Sequence, residues 1–93
     1  MREKTIERQL TVAVKNAGGL ALKLVSPGFD GIPDRLVFLP KGIIAFVELK
    51  RPGEKLRPLQ VKRKNQLEAL GFLVYCIDAI EQIGGVLDEI QAT

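Results

Sequence analysis

Two carboxylates and an ammonium are the groups in this chain best placed to do chemistry. They are Asp34, in Gly31-Ile32-Pro33-Asp34-Arg35, and Glu48 with Lys50, in Val47-Glu48-Leu49-Lys50. A short hairpin can bring Asp34 beside Glu48. On a strand, residues two apart share a face, so Glu48 and Lys50 point the same way. Two carboxylates next to an ammonium suit a hard divalent cation and the negative charge of phosphoryl transfer. The competing reading is a solvent-facing charge pair at a strand edge. The run Ile43-Ile44-Ala45-Phe46-Val47 argues against it, because an apolar stretch without alternation reads as a central strand covered on both faces. An unpaired Glu and Lys are costly there.

Composition narrows the chemistry further. The chain has no His and one Cys, which removes His-based general acids, serine triads and typical zinc sites. Cys76 alone forms no internal disulfide and fits a reducing, cytoplasmic setting. The opening residues Met1-Arg2-Glu3-Lys4 lead into no apolar signal core, and the longest apolar run, Phe72 to Ile77, is too short to cross a membrane. The net charge of +3 conceals an asymmetry. Residues 50–64 hold seven basic side chains and one acidic, whereas residues 65–93 hold five acidic and no Lys or Arg. Such a division suits one face for a polyanion and another turned away from it.

The elements that must position these groups follow from periodicity. Residues 3–17 read as a helix with Ile6, Leu10, Ala13, Val14 and Ala17 on one face, stopped by Gly18-Gly19. Leu20 to Val25 reads as a strand, followed by a loop dense in turn formers. Arg35 to Leu39 and Ile43 to Leu49 read as strands joined by Pro40-Lys41-Gly42. After a basic loop, residues 59–70 form a helix with Leu59, Gln66, Leu67 and Leu70 towards the sheet. Phe72 to Ile77 is a buried strand. Asp78 with Glu81 resembles a capping box for a last helix carrying Ile80, Ile83, Leu87 and Ile90. Gly84-Gly85 within it costs about 1–2 kcal/mol against alanine and puts its continuity in question. The whole is one domain, 1–93, of α/β class in the order α-β-β-β-α-β-α, a mixed sheet flanked by helices.

At these positions the motifs resemble those of the VRR-NUC family, the small virus-type replication-repair nucleases of the PD-(D/E)XK superfamily. The resemblance spans nearly the whole chain: an early helical Glu, Gly18-Gly19, Gly-x-Pro-Asp-Arg, Val-Glu-x-Lys, a Gln opening the next helix, and Gly71-Phe72-Leu73-Val74. It implies a restriction-endonuclease-like core, in agreement with the element order. It also implies that Asp34 and Glu48 bind Mg²⁺ or Mn²⁺, with the backbone carbonyl of Leu49 as a further ligand. By the same resemblance Lys50 is the active-site lysine, Glu7 the first-helix carboxylate beside the metal, and Gln60 the helix-borne glutamine. The implied reaction is hydrolysis of DNA by metal-activated water, leaving a 5′-phosphate and a 3′-hydroxyl.

Arg51, Lys55, Arg57, Lys62, Arg63 and Lys64 follow the site and are expected to track the phosphate backbone. With only five aromatic residues, stacking on single strands is weakly supported, so duplex or branched DNA is the expected partner. Phe29, in a loop near the site, is either a packing residue or a wedge. One site per domain cuts one strand. Paired incision of a four-way (Holliday) junction therefore calls for a homodimer, with the final strand and helix around Gly84-Gly85 as its surface. The alternatives are a nuclease acting on flaps or linear duplex, a binding module that uses the 50–64 tract without catalysis, and a plain interaction domain. Binding alone needs neither Asp34 nor Glu48, and carboxylates repel phosphate unless a cation intervenes.

Overall fold

Ile6, Leu10 and Val14 recur at one helical turn and are completely buried, which fixes the inward face of α1 (Glu3–Asn16). The computed structural model describes residues 2–93. After α1 come β1 (Leu20–Lys23), β2 (Arg35–Leu39), a 3₁₀ turn (Pro40–Gly42), β3 (Ile43–Leu49), α2 (Pro58–Ala69), β4 (Leu73–Ile77) and α3 (Gln82–Gln91). At the end of α1, the Gly19 N–H closes back onto the Val14 carbonyl at 2.9 Å. A Cβ on Gly19 would lie 2.1 Å from the Phe38 carbonyl oxygen, so only glycine lets the chain turn this close to β2.

The sheet runs β1-β2-β3-β4, antiparallel from β1 to β3 and parallel between β3 and β4, with α2 as the crossover. The mixed sheet and the seven-element order are as the sequence indicates. The core lies on one face, where Val37, Leu39, Ala45, Val47, Leu49 and Ile77 meet Ile6, Leu10 and Val14 of α1 and Ile83, Leu87 and Ile90 of α3.

Four expectations need correction. β3 is central but not covered on both faces: Ile44 is 37% exposed, because α2 lies over the β4 side and leaves the far end of the sheet open. The inward face of α2 is also different. Gln60 is buried and Arg63, Lys64 and Leu67 are half-buried, while Leu59, Gln66 and Leu70 face outward. The last helix begins at Gln82 with Glu81 as its N-cap and no side-chain cap, and the turn before it is tied to its start instead: the Asp78 N–H donates to Gln82 Oε1 at 2.9 Å and Gln82 Nε2 donates to Asp78 Oδ1 at 2.8 Å. That helix runs unbroken through Gly84-Gly85. Burying Ile83, Leu87 and Ile90 at about 1.5–3 kcal/mol each outweighs the glycine penalty. Its exposed positions are Gln82, Gly84, Gly85, Asp88, Glu89 and Gln91, with Val86 half-buried.

Candidate active site

Glu48, Lys50 and Gln60 are the buried polar side chains among the described residues, at 5%, 7% and 7% exposure, and they lie together. Gln60 explains how. Pro58 starts α2 and places Gln60 at its third position, where its Oε1 accepts the Arg57 N–H at 2.8 Å and so caps the helix. Of the two ends of the amide only the oxygen can accept that bond, which turns the NH₂ the other way. There Gln60 Nε2 donates to Glu48 Oε2 at 3.0 Å. One side chain thus begins the helix and holds the carboxylate.

Asp34 arrives from the opposite side, at the end of the loop before β2. Its Oδ2 accepts the Leu49 N–H at 2.9 Å, and its own carbonyl accepts the Leu24 N–H at 2.8 Å. Burial, and after it the Asp34 carboxylate, push the Glu48 carboxyl up to about 8. Lys50, whose Nζ lies 3.9 Å from Glu48 Oε2, pulls the other way and does not win. The Lys50 N–H continues the ladder to the Ile77 carbonyl at 3.0 Å, so β3 and β4 carry this ammonium into the site.

The donor set fits a small oxygen-preferring cation. Glu48 Oε1 is buried and meets no donor, and with the Asp34 carboxylate beside it the two acids must share a proton or a cation. Among the described residues no three His, Cys, Asp or Glu side chains gather into a metal cluster. The protein therefore offers two carboxylates, a set suited to Mg²⁺ or Mn²⁺, which keep several waters and substrate oxygens in their shell.

The first helix carries two acids one turn apart, the exposed Glu3 and the half-buried Glu7. Glu7 is drawn aside by Arg35, with Nη2 at 3.3 Å from Oε2. Glu3, one turn earlier on the same stripe, lies in the field of the cluster: burial first, then Asp34 and Glu54, raise its pKa, and Lys50 lowers it. The sequence signal for Glu3 was its four-residue spacing from Glu7, which puts both on one face.

The basic tract is likewise uneven. Arg51 pairs with Glu54 at 3.6 Å, and Lys64 with Glu68 at 2.8 Å. Lys55, Arg57 and Lys62 are exposed with no ion-pair partner among the described residues. The loop itself is tied down where the Gly53 N–H donates to Asp78 Oδ2 at 3.2 Å. Arg63 folds back over Phe29, its guanidinium carbon 3.8 Å from the ring centroid.

No protein-family model matches the chain. It is 51% identical over 79 residues to "Putative nuclease p44" of Acyrthosiphon pisum secondary endosymbiont phage 1, covering 85% of each chain. A solved structure described as a VRR_NUC domain superposes with a TM-score of 0.87 at 30% identity, covering 92% of this chain and 94% of its own.

Proposed function

This chain belongs to the VRR-NUC family of nucleases, and we propose that it is an endodeoxyribonuclease that uses Mg²⁺ or Mn²⁺ to hydrolyse DNA. The observation that carries this reading is the buried Glu48, held by Gln60, facing Asp34 and left with a free Oε1. Asp34, Glu48 and the Leu49 carbonyl are the groups to hold the ion. When bound, the ion supplies an activated water and positive charge at the scissile phosphate. Lys50, buried beside Glu48, meets the negative charge that builds on the phosphoryl oxygens. Gln60 keeps Glu48 in place throughout, and its NH₂ also compensates the charge that Glu48 acquires on losing its proton. Of the first-helix acids, Glu3 fits the role of the outer carboxylate beside the ion better than Glu7, which Arg35 occupies.

Lys55, Arg57 and Lys62 are the free cations best placed to run along the phosphate backbone, with Arg51 and Lys64 available on exchange of their partners. No helix is long and apolar enough to cross a membrane. The proposed substrate is branched DNA, above all a four-way junction, cut by paired incisions in the cytoplasm of a phage-bearing cell. Two cuts require two copies. With α3 polar outside, the face for a homodimer is the open part of the sheet, where Leu20, Leu22, Ile44 and Phe72 are 62%, 48%, 37% and 41% exposed.

A panel of linear, nicked, flap and four-way-junction DNAs with Mg²⁺, Mn²⁺, Ca²⁺ or chelator tests the reading. Cutting with Mg²⁺ and Mn²⁺, binding with Ca²⁺ and neither loss of DNA nor nicking in chelator are expected. Vigorous cutting in excess chelator overturns the metal assignment. Light scattering separates a dimer from the 10.3 kDa monomer, and Leu22→Glu should yield the monomer if the open face is the interface.

A further inference from the structure

Arg63 sits one turn after Gln60 on the inward stripe of α2, and it holds the loop that leads to Asp34. Its Nε donates to the Asp30 carbonyl at 2.8 Å, its Nη1 to Gln66 Oε1 at 2.9 Å, and its guanidinium plane covers the Phe29 ring. The next residue, Gly31, has φ +87°, and a Cβ there would meet Leu59 Cγ at 2.8 Å, the Leu59 carbonyl at 3.0 Å and Arg63 Cγ at 3.1 Å. The loop is thus pressed against α2 with no room for a side chain. Pro33, just before Asp34, is buried. Among the described residues, the bond from Arg63 is the one hydrogen bond that joins the stretch 25–33 to another element; the other in that stretch, Phe29 N–H to Ser26 carbonyl, is internal.

We propose that Arg63 is a positioning residue for Asp34: through Phe29 and Asp30 it sets the loop whose end presents the metal-binding carboxylate, and it is not a contact to DNA phosphate. α2 then aligns both acids, Glu48 through Gln60 and Asp34 through Arg63. A phosphate contact needs only a positive charge, which lysine keeps. The tether needs a planar fork that stacks and donates at once, which lysine lacks. This inference rests on Asp34 being a metal ligand.

The test compares wild type with Arg63→Lys, Arg63→Gln and Phe29→Leu in three measurements. These are the Mg²⁺ concentration that half-saturates the thermal shift of the DNA-free protein, hydrogen exchange of amides 28–33, and the salt dependence of junction binding in chelator. All three variants are expected to need about tenfold more Mg²⁺, as removal of an outer-shell partner does. Exchange should quicken across the loop, while Arg63→Lys and Phe29→Leu keep the wild-type salt slope. A wild-type Mg²⁺ requirement in Arg63→Lys, or faster exchange with no change in that requirement, overturns the proposal. So does a salt slope reduced by about one unit in Arg63→Gln alone, the mark of a lost phosphate contact. Failure of the wild type to bind Mg²⁺ at all would instead defeat the reading of Asp34 and Glu48 as ligands.

Discussion

On the α1–α3 side of the sheet, Val37, Ala45, Val47, Leu49 and Ile77 are at most 1% exposed and pack into one apolar cluster, with the Arg35–Glu7 pair at its edge. On the α2 side, the β3 residues that alternate with them are Ile44, half open, Phe46, half-buried edge-on against Phe72, and Glu48, buried against an amide. The same strand serves both. One face of β3 is tuned for burial and contributes most of the stability. The other keeps a carboxylate in a place that burial alone disfavours, and so has a proton or a cation to exchange. Fold and chemistry are therefore separable by face, and substitutions should sort the same way.

The largest effect is expected on the chemical face. Asp34→Ala, Glu48→Ala or Lys50→Ala should each reduce cleavage by at least about a hundredfold while the protein stays folded, since such groups contribute several kcal/mol in the transition state. Circular dichroism and a nicking assay on the same samples check this. Wild-type turnover by any one of them breaks the division. The mirror-image experiment is Leu10→Ala or Ile90→Ala, at completely buried sites. Each should cost about 2–5 kcal/mol in chemical denaturation with active-site chemistry intact in the fraction still folded.

A smaller effect comes from pH. The Glu48 carboxyl lies at about 8 in the folded protein against an ordinary 4.5. A raised acid stabilises the fold fully at low pH and loses that contribution as pH rises through its folded value. Without metal, the melting temperature should therefore fall as pH rises from 4.5 to about 8, and the fall should shrink in Glu48→Gln. Mg²⁺ should raise it more at alkaline pH, where the proton no longer competes for Glu48, than at acid pH. An identical pH profile in Glu48→Gln removes Glu48 as the cause. The smallest effect belongs to the outside of α2: Leu70→Ser, at a residue 74% exposed, should change stability by less than about 0.5 kcal/mol. A larger loss would mean that this surface is covered in solution.

Legibility in the sequence follows the same division. α1 could be read because apolar residues recur there with a helical period, and β2, β3 and β4 because short apolar runs stand between turn formers. The inward face of α2 could not. Its buried position is Gln60, with Arg63, Lys64 and Leu67 half-buried, so of the apolar residues that the eye follows only Leu67 turns inward, while Leu59 and Leu70 stay exposed. Asp34, Glu48, Lys50 and Gln60 could be named from their motifs, and the structure brings them together. Glu7 and Glu3 share one stripe and one chemistry, and only the pairing with Arg35 tells them apart. Arg63 looked like one basic residue among seven in its tract, because a cation that stacks on a ring leaves no trace in charge counting.

The three-residue step from Gln60 to Arg63 also limits how this chain can change in length. Each residue turns an α-helix by about 100°, so one residue inserted between these two swings Arg63 off the stripe and away from Asp30. The helix tolerates no drift of phase there. The stretch 51–57 before it obeys no such rule, since it is held only at points, at Gly53, at the half-buried Glu54 and Leu56 and at the Arg57 cap, and is exposed loop between them. Relatives of this protein can therefore lengthen or shorten that loop, and reshape what it touches, while the spacing within the helix stays fixed.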